Sequence, residues 1–102
     1  MNEIFNQSKI LVFKLTEIET FEKLDIPNET LHFIADLSEL SFEKIELIKE
    51  NLVIFGRSIY EKNGSFVIVS SHNFHEYLNI VPSLQEAYDF IQMEDIERQF
   101  NI

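Results

Sequence analysis

The stretch Ser65-Phe66-Val67-Ile68-Val69-Ser70 decides the fold. Four apolar, mostly β-branched residues follow one another without alternation, as in a central strand buried on both faces of a parallel or mixed sheet. Working back from it, Asn63-Gly64 is expected to end a helix, with Gly64 taking the left-handed conformation free of a Cβ clash. Before that, Phe42, Ile45, Ile48, Leu52, Phe55 and Ile59 recur at helical spacing as one apolar stripe, and Ser41 is placed to cap it. Earlier still, Leu31-His32-Phe33-Ile34-Ala35-Asp36-Leu37 reads as a strand with Leu31, Phe33, Ala35 and Leu37 on one face, and Lys9 to Leu15 as another. Between these two, residues 17–29 are acidic, with a helical turn expected at Thr20–Leu24 before Pro27. Working forward, a polar stretch Ser71–Glu76 leads to a short strand, Leu78-Asn79-Ile80-Val81, then Pro82. Ser83-Leu84-Gln85-Glu86 is a capping box opening a last helix, whose expected apolar face is Leu84, Ala87, Tyr88, Ile91, Ile96 and Phe100. Strands alternating with helices predict an α/β domain, a sheet with helices packed on it.

Composition bounds the function. At 102 residues the chain is read as a single domain, residues 1–102, with a core that stands without staples. It has no Cys, so disulfides and thiolate chemistry are out, and a reducing compartment fits. Met1–Asn6 lacks the basic start and apolar run of a signal peptide, and no apolar stretch reaches membrane-spanning length, so a cytoplasmic protein is expected. The chain carries 18 acidic and 8 basic residues, a net charge of −10, and its bases are scattered singly. Nucleic acids and anionic membranes are bound by neutralising phosphate with Lys and Arg, so neither is an expected partner.

Residues that could carry chemistry are few. His72 and His75, three apart, would both face a metal on a helix, but a site needs a third ligand and orienting partners. His32, inside a strand, reads as a packed, hydrogen-bonded core residue; Asp36, at a strand end where α/β folds place functional carboxylates, reads rather as capping a turn or facing solvent. Glu94, Asp95 and Glu97 read as a solvated helix face, and Arg57 as a surface cation. With glycine only at 56 and 64, no phosphate-cradling loop is available. No cofactor and no metal are expected.

Two segments resemble a known family. Leu31-His32-Phe33-Ile34-Ala35-Asp36-Leu37-Ser38-Glu39-Leu40, followed by a helix and Asn63-Gly64-Ser65-Phe66-Val67-Ile68-Val69, looks like the centre of a STAS domain, the fold of anti-sigma-factor antagonists. The tail from Leu78 to Ile91, continued by Met93-Glu94-Asp95-Ile96-Glu97-Arg98, is similar to the last helix of short Bacteroidetes-type relatives. The match spans about residues 30 to 100. STAS antagonists carry an Asp-Ser-Ser-Gly segment with a phosphorylated serine at the start of the matched helix; here that place reads Ser41-Phe42-Glu43-Lys44-Ile45-Glu46, so the phosphoserine is not carried over. The resemblance implies a pared-down, STAS-like fold: a small mixed sheet of about four strands, residues 65–70 inside it, and two main helices mainly on one face.

The function this implies is a non-enzymatic regulatory or adaptor domain that binds a protein partner, an anti-sigma factor or similar regulator, without a phosphorylation switch. The partner surface expected from the resemblance is Ser38, Ser41, Phe42, Glu43 and Glu46. A homodimer stays open. So do two alternatives: a STAS-like module holding a small ligand, nucleotide or lipid, and a metal-dependent hydrolase using His72 and His75. A ribonuclease Z needs a histidine-rich H-x-H-x-D-H motif, which three histidines at 32, 72 and 75 do not supply.

Overall fold

The computed structural model describes residues 10–16, 26 and 30–100. The turn expected at Thr20–Leu24 and the start of the first strand at Lys9 lie outside the described residues. Four strands, β1 (Ile10–Lys14), β2 (His32–Asp36), β3 (Phe66–Val69) and β4 (Ile80–Val81), form one sheet in the order β1-β2-β3-β4. Among the described residues two helices accompany the sheet: α1 (Phe42–Glu61) between β2 and β3, and α2 (Leu84–Phe100) after β4. The α/β class therefore holds, and β3 lies inside the sheet as its unbroken apolar run demands.

The sheet is parallel throughout, not mixed: β1 pairs with β2, β2 with β3 and β3 with β4 in parallel. Because neighbouring strands run parallel, the chain must return to the same end of the sheet before each strand begins. Between β3 and β4 ten residues, 70–79, make that return without a helix. Extended chain covers roughly 3.3 Å per residue, which is ample for strands this short.

The helices lie on opposite faces, which corrects the expectation of one face. The register sets Leu11 beside Phe33 and Phe66, and Phe13 beside Ala35 and Ile68, on one side. There they pack with Ile45, Ile48, Leu52 and Ile59 of α1. Alternate residues Ile34, Val67 and Val69 point the other way and pack with Ala87 and Ile91 of α2, flanked by Ile10, Val12 and Val81. A parallel sheet buries both faces, so the second apolar face needs its own cover. α1 is a crossover between parallel strands, and the handedness of such connections dictates its side; α2 crosses to no further strand and is free to take the other.

α1 begins as expected: the Ser41 hydroxyl accepts from the Lys44 amide at 3.3 Å. Phe42, however, is 46% exposed and leaves the core stripe. Helical side chains lean back toward the N-terminus, so a first-turn residue overhangs the end of the sheet. At the C-terminal end Asn63, with φ 68°, takes the left-handed conformation expected of Gly64, which has no positive φ. Asn tolerates that region. Gly64 is needed for a close approach instead: a Cβ there would collide with the Leu31 carbonyl oxygen and come within 2.8 Å of Ile59 Cγ2.

α2 is capped by Ser83, whose hydroxyl accepts from the Glu86 amide at 3.2 Å. It buries only Ala87 and Ile91, where α1 buries Ile45, Ile48, Leu52, Gly56 and Ile59. Leu84 and Phe100, expected in its apolar face, are 40% and 84% exposed. Apolar burial therefore holds α2 less tightly than α1, and polar contacts supply the rest. Among the described residues no helix is long and apolar enough to cross a membrane.

Candidate functional site

The carboxyl ends of the strands gather the residues singled out from the sequence. Asp36 closes β2, and its Oδ1 accepts from the Ser38 amide at 3.0 Å, the turn-forming role expected of it. Lys14, at the end of β1, reaches Glu39 at 2.9 Å across the same turn, an exposed pair. Ser38, Ser41, Phe42, Glu43 and Glu46 are all exposed. Glu43 sits in the first turn of α1, where the amide dipoles favour a negative charge. Glu46 is paired along the helix with Lys49 at 2.8 Å. The sequence did not indicate the partner of Phe42: the His72 ring, from the loop after β3, meets it edge-on with centroids 5.4 Å apart. His72 is anchored by its amide, which donates to the Ser70 hydroxyl at 3.0 Å. Two loops thus converge on one solvent-facing aromatic pair at the end of an open parallel sheet, where α/β domains place their ligands.

The opposite end holds a denser polar cluster. His32, 3% exposed, accepts at Nδ1 from the Ser65 amide at 3.1 Å and meets Asp95 Oδ2 through Nε2 at 3.2 Å. The ring is therefore neutral with its proton on Nε2. Burial lowers its pKa, more than the facing Asp95 raises it, and Arg98 adds to the lowering. Glu94 Oε1 accepts from the Ser65 hydroxyl at 2.6 Å and from the Tyr60 hydroxyl at 2.8 Å. Asn79 Nδ2 donates to Tyr60 Oη at 2.7 Å. Burial, then the bond to Glu94, drives the Tyr60 phenol well above its usual pKa. Arg98 completes the cluster: Nη2 donates to the Gly64 carbonyl at 2.7 Å and to Ser65 Oγ at 2.8 Å, and Nη1 to Asp95 Oδ1 at 2.9 Å.

A serine, a histidine and carboxylates lie together here, but not in a catalytic arrangement. His32 bonds the Ser65 amide rather than its hydroxyl, and Ser65 is fully buried, so no substrate reaches Oγ. The donors and acceptors are spent on one another, and the cluster acts as a staple between α2 and the sheet. His32 is the packed core residue read from the sequence. Glu94 and Asp95 are not a solvated face: with side chains 24% and 19% exposed, they are half-buried partners of Arg98. The legible signal was spacing, since Glu94, Asp95 and Arg98 continue the stripe begun by Ala87 and Ile91.

Among the described residues no three metal-ligating side chains come together. His75 turns back on its own loop, where Nδ1 accepts from the Tyr77 amide at 3.2 Å. Two clefts open on the α1 side: one of about 350 Å³ between Phe33, Phe55 and Lys62, and one of about 280 Å³ between Arg57, Tyr60 and Tyr77. A third, of about 410 Å³, runs beside α2 at β4.

Fold and site together define a parallel α/β domain whose two described helices cover opposite faces, with an exposed aromatic pair at one end and a closed polar staple at the other. No family model matches the chain, and neither a curated protein nor a solved structure matches it.

Proposed function

We propose that this chain is a non-catalytic regulatory or adaptor module that binds a protein partner through the start of α1; the opposite-face helices depart from the STAS-like layout, so the reading rests on the surface itself. The contact surface is the turn and cap at Ser38 and Ser41 with Phe42, Glu43 and Glu46. One observation carries the reading: Phe42, a large aromatic, is held out of the core and braced by His72 at the sheet's carboxyl end. Exposed aromatics on rigid supports are what protein partners bury most productively. Ser41 serves as a cap, so binding is constitutive rather than gated by phosphorylation.

The test is photo-crosslinking from position 42 in the native host, with the exposed position 51 further along α1 as control, followed by affinities for the captured partner. Phe42→Ala should weaken binding about tenfold or more, as hot-spot truncation does. Ser41→Asp, which also caps a helix well, should leave binding intact. A partner that binds Phe42→Ala as tightly as the wild type removes the proposed surface. A partner lost only with Ser41→Asp makes Ser41 a phosphoswitch and overturns the constitutive reading.

A further inference from the structure

The outer flank of α2 shows a second feature that the aromatic pair does not explain. Adjacent strands lie about 4.8 Å apart, so four of them span roughly 14 Å between the outer two. A single helix about 10 Å across cannot cover that width. Among the described residues, α2 lies along β3 and touches β2 and β4 alike, and an open groove runs along its β4 flank, where it meets Val81.

The floor of this groove is apolar: Val81 of β4 with Phe90 and Met93 of α2. Met93 is 59% exposed, although a methionine normally fills a core gap. The remaining lining side chains are Glu86, Asp89, Glu94 and Glu97, and none is basic. Glu94 Oε1 is turned inward to Tyr60 and Ser65, which leaves Glu86, Asp89 and Glu97 as the rim. On α1, by contrast, Glu43, Glu46, Glu50 and Glu61 are matched by Lys44, Lys49 and Arg57, with Lys62 just beyond. Of the two described helices, α2 thus carries the unbalanced negative charge, and it borders an apolar trough. From Glu86 to Glu97 the trough runs about 16 Å, three turns of helix.

We propose that this groove is a docking site for a basic amphipathic helix of a protein partner, about three turns long. Its apolar side lies on Val81, Phe90 and Met93, and its Lys or Arg residues face Glu86, Asp89 and Glu97. The assignment rests on charge complementarity over an apolar floor. It is independent of the surface at Phe42, which lies at the far end of the other helix.

The test uses a designed helical peptide of Leu and Lys with one apolar face, and an isomer of identical composition scrambled to have none. Each is titrated into the full, nitrogen-15-labelled chain and followed by amide chemical shifts. The amphipathic peptide should shift residue 81 and residues 86–97, and its affinity should fall about tenfold or more between low and physiological salt, as screening demands. The scrambled isomer should bind much more weakly. Met93→Gln, which leaves the charge unchanged, should weaken binding severalfold. The combined Glu86→Lys, Asp89→Lys and Glu97→Lys variant, three exposed positions, should abolish it while circular dichroism stays unchanged. Equal binding of the scrambled isomer, shifts centred on α1, or indifference to Met93→Gln would reduce the effect to diffuse attraction and overturn the proposal. Should the triple variant unfold, the shift map and Met93→Gln decide alone.

Discussion

Arg98→Ala tests the polar staple directly. The guanidinium makes three short bonds, to the Gly64 carbonyl, the Ser65 hydroxyl and Asp95, and its side chain is 29% exposed. A hydrogen bond to a charged group contributes about 1.5–3 kcal/mol net where water cannot replace it. Water reaches part of this site, so the sum of three is too large, and we expect a loss of about 2–3 kcal/mol. On a domain of this size each kcal/mol moves the melting temperature by roughly 4–8 °C, so the midpoint should fall by about 10–20 °C. The loss should exceed that of an ordinary surface substitution, because α2 buries only two apolar residues and Asp95 would keep His32 but lose its cation. Arg98→Lys should recover less than half, since one ammonium cannot span the fork of carbonyl, hydroxyl and carboxylate. The assay is guanidinium chloride unfolding followed by circular dichroism, with Arg57→Ala as a surface control expected within about 0.5 kcal/mol. If Arg98→Ala matches Arg57→Ala, the staple is solvated in solution and the reasoning fails.

Three further outcomes are expected. Because the folded pKa of His32 lies below its unfolded value, the unfolded chain binds the extra proton. Stability from this group is therefore complete above about pH 6.5 and is lost as pH falls from there toward the lowered folded value, with a slope of at most about 1.4 kcal/mol per pH unit. Denaturant midpoints measured across that range should fall more steeply for the wild type than for His32→Asn; a flatter wild-type profile would mean the ring is charged in the fold. Gly64→Ala should cost at least about 2 kcal/mol, since the new methyl meets a backbone carbonyl that cannot step aside, and a melting curve like the wild type's would show that the strand yields. Ser83→Ala should cost about 1 kcal/mol through the lost cap, read as a lower denaturant midpoint; no shift would mean the cap contributes nothing.

The elements were legible because each depends on local chemistry. Serines at 41 and 83 cap the helices they precede, and the unbroken Phe66–Val69 run lies buried between two neighbours. Strand direction and the faces of the helices were not legible. Both depend on how the connections travel, and on the alternate residues Ile34, Val67 and Val69 requiring a cover of their own. The positive φ fell on Asn63 rather than Gly64 because sequence marks the turn without saying which residue must avoid Leu31. At the candidate site, Ser38, Ser41, Phe42, Glu43 and Glu46 are consecutive enough to be seen on a line of sequence. The bracing of Phe42 by His72 joins residues 30 positions apart, and no local pattern announces it. The acids of α2 misled for the opposite reason. Charge on a helix reads as solvent-facing until the residues that meet it, Ser65, His32 and Tyr60, are known.

The staple also makes the two ends of the sheet unequal in their tendency to open. It joins the end of α1, the starts of β2 and β3, the approach to β4 and the second half of α2 at a single place. Opening any one of these segments exposes charge bonded to the others, so they separate together or not at all. The amides of Phe33 and Ile68, bonded to Ser65 and Asn79 within this knot, are expected to exchange slowest, through whole-domain unfolding. The loop at residues 71–77, exposed for most of its length and tied to the core chiefly by Phe74, is expected to exchange earlier. The domain behaves as a bracket clamped at one edge, and Phe42, fixed in the capped first turn of α1, stands at the opposite edge, where a partner could bury it without loosening the clamp.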